Sequence, residues 1–150
     1  MHRAIKLSRT GMSDGDGGPF GCVIIRNNEI IAEGWNQVLS TNDPTAHAEV
    51  NAIRAACKKL GRFDLSDCEI YSSCEPCPMC LGAIYWARPR NVYYANTKQD
   101  AAAIEFDDSF IYDELEKPIE SRVIPFHHYP DKDALAVFEQ WQSKPDKIQY

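Results

Sequence analysis

Two short blocks of this chain carry the residue types that water chemistry on a metal requires: His47-Ala48-Glu49 and Pro76-Cys77-Pro78-Met79-Cys80. Together they supply one imidazole, one carboxylate and two thiols. Zinc takes nitrogen and sulfur ligands in a tetrahedron, and a catalytic zinc keeps three protein ligands with the fourth position open to water. His47, Cys77 and Cys80 are the expected three. Glu49 then has no ligand role and is free to move protons for a water that zinc makes acidic at a pKa of about 7.

The spacing also fixes where such a metal would sit. Cys77 and Cys80 are three apart, so on the first turn of a helix they project from one face. The partial positive charge of a helix N-terminus favours thiolate over thiol there. His47 and Glu49 are two apart, roughly 200° around a regular helix, so they share no lateral face. Side chains lean towards the helix N-terminus, and both can reach a site lying off its end. The metal is therefore expected between two helix N-termini. A carboxylate beside it could pass a proton from water to a ring nitrogen of an amino-heterocycle and then help protonate the departing amine.

A structural zinc site or a redox C-x-x-C would use the same residues differently. Cys74, Cys77 and Cys80 form C-x-x-C-x-x-C, and Cys74 could close the fourth position as structural sites do. An iron–sulfur loop would need a further cysteine followed by proline, and that is missing. Cys74 is instead expected to end a strand, because Glu75-Pro76 must turn the chain into the next helix. Cys22, Cys57 and Cys68 are expected in the core.

The elements that must position these groups can be read from pattern. Residues 2–12 show a weak helical pattern, broken by Ser13-Asp14-Gly15-Asp16-Gly17-Gly18-Pro19. Cys22-Val23-Ile24-Ile25 and Ile30-Ile31-Ala32 flank Asn27-Asn28, a pair suited to a tight hairpin turn. Asn42-Asp43-Pro44-Thr45 supplies capping chemistry ahead of a helix from Ala46 to Leu60, stopped at Gly61. A strand is expected at 68–73, a helix at 77–87 and a strand at 91–95. Further on come a short helix at 109–115, a strand at Arg122–Phe126 and a helix at 133–141. A hairpin followed by alternating helices and strands argues for α/β layers with helices on both faces of a mixed sheet.

The bulk properties narrow the partners. The 150 residues are expected to form one domain around a single core. A formal net charge of −6 with scattered basic residues speaks against a nucleic-acid partner and for a small neutral ligand. No apolar run approaches the roughly 20 residues that span a bilayer, so no membrane role is expected. The N-terminal residues lack the apolar stretch of a secretory signal, which makes a cytoplasmic location the expectation.

The blocks Gly18-Pro19-Phe20-Gly21, Asn42 to Glu49 and Ser73 to Cys80 resemble the cytidine deaminase superfamily, whose zinc enzymes carry H-x-E and P-C-x-x-C together. Leu81 to Pro89 and Phe106 to Tyr112 resemble its bacterial guanine deaminase branch. The likeness covers nearly the whole chain. It implies an α/β/α sandwich around a five-stranded mixed sheet, one zinc per subunit, a purine base as ligand, and a homodimer in which residues 131–150 cross to the neighbouring subunit. It further implies substrate contacts from Asn36, Ala48, Phe20 and Trp86, a catalytic place for Asp108 beside Glu49, and Tyr150 closing over a neighbour's pocket. Each has a plainer reading. Asn36 could be a turn residue, Phe20 and Trp86 core aromatics, and Asp107 and Asp108 a helix cap. The activity implied is hydrolysis of guanine to xanthine and ammonia. A tRNA-adenosine deaminase, a deaminase of a related aminopyrimidine or aminotriazine, and a non-catalytic zinc-binding module are the alternatives.

Overall fold

In the computed structural model, which describes residues 1–149, Asn27 and Asn28 both take positive φ, 51° and 65°. That turn matches the twist of paired strands, and it joins β1 (Gly21–Arg26) to β2 (Glu29–Trp35) as the sequence predicts. β3 (Glu69–Cys74) pairs antiparallel with the other edge of β1, and β4 (Asn91–Asn96) runs parallel to β3. The sheet order is β2-β1-β3-β4. Three strands in the middle of the chain thus bring residues 22, 72 and 94 side by side.

Alternation along β1 sends Val23 to one face and Cys22 and Ile24 to the other. Helix α1 (His2–Ser13) buries Ala4 and Leu7 against Val23. On the opposite face, α3 (Ala48–Leu60) and α4 (Pro78–Ala87) enclose Cys22, Ile24, Ile70, Ala52, Ala56 and Ile84. The layers are α/β/α. Between β2 and α3 the backbones touch: a Cβ at Gly34 would strike the Ala48 carbonyl oxygen and the Ala52 nitrogen. A short α2 (Val38–Thr41) precedes α3, and α5 (Lys98–Ala102) follows β4.

Met1–Ile111 form one compact unit, and a second runs from Tyr112 onward. α6 (Ser109–Glu116) straddles the boundary, and the second unit holds a 3₁₀ turn at Ile119–Ser121 and α7 (Lys132–Ser143), capped by Asp131. Among the described residues the sheet has four strands rather than the expected five, since Arg122–Phe126 forms no strand. Its backbone donors are spent locally. Arg122 donates to the Ile119 carbonyl at 3.4 Å, Val123 donates to Glu114 Oε2 at 2.7 Å, and Pro125 has no N–H. Among the described residues no helix is long and apolar enough to cross a membrane.

Candidate active site

His47 and Cys77 are the residues that immediately precede α3 and α4, both extended, with φ/ψ of −73°/157° and −65°/168°. Pro78 at the first position of α4 suits a fixed φ and loses no needed hydrogen bond. The two helix starts converge, as the spacing predicts. His47 Nδ1 lies 3.5 Å from Cys77 Sγ and 3.6 Å from Cys80 Sγ. Nitrogen and sulfur on one tetrahedral zinc, at bond lengths of about 2.0 and 2.3 Å, stand about 3.6 Å apart. These two spacings are those of ligands on one zinc ion, and all three donor atoms lie within 4.8 Å of one another. They form the one such cluster of His, Cys, Asp and Glu found among the described residues.

Cys74 stands outside this set. Its thiol points to the Thr97 carbonyl oxygen at 3.6 Å. Burial and the nearby Glu49 charge push its pKa up to about 11. Cys77 is the opposite case: hydrogen bonding from Cys80, with help from His47, holds its thiol well below the ordinary range despite burial. Cys80 is pushed up by sharing its proton with Cys77 and by burial, and His47 is raised chiefly by its hydrogen bond to Cys77. Zinc binds thiolate and neutral imidazole, so its arrival would displace the protons these three groups share.

Glu49 lies in the first turn of α3, 6% exposed, and its Oε1 accepts a hydrogen bond from Ser72 Oγ at 2.7 Å. It lines a cavity of about 470 Å³ together with His47 and Cys77. That size suits a small-molecule ligand. Asn36, 4% exposed, lines the same cavity. Its Oδ1 accepts from the backbone N–H groups of Gly18 at 3.3 Å and Val38 at 3.2 Å. Both bonds identify the oxygen, so the amide NH₂ is what Asn36 offers a ligand. A Cβ at Gly17 would strike this carboxamide oxygen, which explains a glycine there.

Phe20 forms another wall and meets Phe106 edge-on, with ring centroids 5.0 Å apart at 86°. Asp107 and Asp108 both line the cavity, and Asp107 Oδ1 accepts from the Ser109 N–H at 2.9 Å at the start of α6. The Asp108 carboxyl is raised by burial and then by the charge of Cys77. Ala48 is fully buried at the start of α3, between His47 and Glu49, and is not part of the cavity wall. Trp86 stands 65% exposed on α4 and does not line the cavity within this chain. Tyr150 lies outside the described residues.

Sequence reasoning passed over Lys98, Glu75 and Ser72. The first two line the cavity: Lys98 opens α5, and its backbone N–H donates at 3.0 Å to Oε2 of Glu75, which lies between β3 and α4. Thr97-x-x-Asp100 makes a full capping box and was the readable signal for that helix. Ser72 had no such marker.

Comparison with known proteins places these features in context. The family model for the cytidine and deoxycytidylate deaminase zinc-binding region matches residues 1–96. The chain is 55% identical to the guanine deaminase of Bacillus subtilis over all 150 residues and 96% of that protein. The solved structure of guanine deaminase from Bacillus subtilis superposes with a TM-score of 0.96 at 56% identity, covering 99% of this chain and 95% of that one. The tRNA-specific adenosine deaminase of Aquifex aeolicus is 32% identical over 84% of this chain and 81% of its own. A protein solved in complex with 8-azaguanine matches 71% of this chain and 62% of its own, with a TM-score of 0.67 and 37% identity.

Proposed function

The chain belongs to the cytidine and deoxycytidylate deaminase zinc-binding family, and from that premise we propose that it hydrolyses guanine to xanthine and ammonia. The observation that carries this reading is the extent of its likeness to a guanine deaminase. It spans all 150 residues, including the Phe106–Ile111 segment that walls the cavity.

His47, Cys77 and Cys80 would hold the zinc. When bound, the ion supplies Lewis acidity that makes water a nucleophile near neutral pH. Glu49 takes one proton from the attacking water and delivers it to a ring nitrogen of the base, then takes the second from the added hydroxyl and gives it to the departing amine, leaving a carbonyl. Water adds to the carbon bearing the amino group, that carbon's bond to nitrogen breaks, and ammonia leaves. Asn36 donates its NH₂ to an acceptor on the purine edge, and Phe20 packs against the ring. Asp108, which lines the same cavity, accepts a hydrogen bond from a ring N–H of the base.

The quaternary reading belongs to the same proposal. α4 exposes Tyr85 and Trp86, and the unit from Tyr112 onward exposes Val123, Ile124, Phe126, Val137 and Phe138. A second copy of the chain is the partner proposed for these apolar groups, with residues 131–150 exchanged, Tyr150 closing a neighbour's cavity and Trp86 reaching a bound ring there. In this reading residues 1–150 act as one catalytic domain per subunit. Thiolate ligands and six free cysteines suit a reducing, cytoplasmic setting.

Ammonia release across guanine, adenine, cytosine, their nucleosides and a tRNA anticodon arm tests the assignment. Guanine is the expected substrate. Efficient deamination of the tRNA arm with none of free guanine would replace this reading by the adenosine one.

A further inference from the structure

Ser72 occupies an odd place for a hydroxyl. It sits in the middle of β3, an inner strand flanked by β1 and β4, with Cys22 and Tyr94 as its register partners. Alternation puts it on the same face as Ile70, towards the core that α3 covers, and it is 1% exposed. Burying a hydroxyl there is costly unless it is hydrogen-bonded. Its partner is Glu49 Oε1 at 2.7 Å. We propose that Ser72 is a positioning residue that fixes the rotation of the Glu49 carboxylate, so that one oxygen is held by the sheet and the other is left for proton transfer. The inference rests on the proton-shuttle role assigned to Glu49 above.

The geometry makes the serine well suited to this. A strand hydrogen-bonded on both sides cannot shift along its axis without breaking two ladders, so Oγ is a fixed point. Glu49 comes from a helix start and has three side-chain torsions to settle. A donor anchored in the sheet removes the last of them. Precise orientation matters because proton transfer needs the carboxylate oxygen within hydrogen-bond reach of both water and base. Misplacing such a group by about 1 Å can cost roughly 100-fold in rate.

The test uses full-length, zinc-loaded protein carrying Ser72→Ala, Ser72→Val or Ser72→Thr, and Ser72→Ala combined with Glu49→Gln. Guanine kinetics, zinc content and melting temperature are measured for each. Ser72→Ala and Ser72→Val are expected to lower kcat roughly 10- to 100-fold with KM within about twofold and zinc content unchanged. Ser72→Thr, which restores the hydroxyl, is expected to recover most of kcat. On the Glu49→Gln background Ser72→Ala should cost nothing further. Should alanine weaken the strand, the contrast between valine and threonine, equal in volume and differing in the hydroxyl, carries the comparison. Wild-type kcat in both Ser72→Ala and Ser72→Val, or a full extra loss in the double variant, overturns the inference while leaving the shuttle intact. Near-normal turnover by Glu49→Gln overturns the shuttle and this inference together.

Discussion

The Asn36 carboxamide oxygen is held by the Gly18 backbone N–H at 3.3 Å, and that bond decides which half of the amide a ligand meets. Only the NH₂ is presented to the cavity. Asn36→Asp would set an acceptor against the acceptor of the bound base. An unmatched buried polar group costs about 1–3 kcal/mol, so KM for guanine is expected to rise roughly 5- to 150-fold. Steady-state kinetics at verified zinc content measure this, and an unchanged KM would remove Asn36 from substrate recognition.

Zinc retention should separate Cys74 from Cys77 within the C-x-x-C-x-x-C run. Cys77→Ala is expected to lose metal and activity together. Cys74→Ala is expected to keep one zinc per chain, because its thiol faces the Thr97 carbonyl oxygen and holds its proton to about 11. Elemental analysis of the two purified variants decides it. Loss of zinc from the Cys74 variant would make that residue a ligand.

Glu49→Gln should retain zinc and lose turnover by several orders of magnitude, since one carboxylate is asked to make every proton transfer. A mutant within about tenfold of wild type would shift the proton work to another cavity group, with Asp108 the first to examine.

Acid stability should depend on Asp67, far from the cavity. Burial opposes its ionisation, yet hydrogen bonds from Cys68, Arg62 and Arg26 outweigh that and hold it at about 2, below the ordinary 3.8. A carboxyl depressed on folding stabilises the protein above its unfolded pKa, and that contribution is lost as pH falls through the folded value. The loss is therefore expected between pH 3.8 and about 2. Urea titrations should show a shallower pH dependence over this range for Asp67→Asn than for wild type. Parallel curves would assign the acid sensitivity elsewhere.

The sequence was most legible where chemistry and geometry are both local. The Asn27-Asn28 hairpin, the stop at Gly61 and the convergence of His47, Cys77 and Cys80 could all be read from type and spacing. The start of α3 was less so. Asn42 to Thr45 looked like its cap, but Asp43 instead accepts from the Thr45 N–H and hydroxyl, both at 2.7 Å. That local turn leaves His47 as the residue before the helix, two positions later than Ala46 alone would suggest. Val123, Ile124 and Phe126 have strand-forming side chains, yet a strand needs free backbone donors, and apolar pattern carries no information about those. The sequence names Asp107 and Asp108 as a pair; only the structure shows that Asp107 accepts from the Ser109 N–H while both line the cavity. Ser72 was invisible for the same reason, since its partner is remote in the chain and its strand is otherwise ordinary.

The bare contact at Gly34 bears on how this site could change. With no side chain at Gly34 to part them, β2 and the first turn of α3 meet backbone to backbone, which sets how close the His47 end lies to the sheet. A methyl group there would act as a shim, tilting one half of the metal cluster away from the half that Cys77 and Cys80 anchor on α4. The depth of the cavity is consequently a frozen dimension of this protein, and its breadth is the adjustable one. Leu39, Phe106 and Phe110 line it, so a variant shaped for a larger or smaller ring would be found among substitutions at those positions.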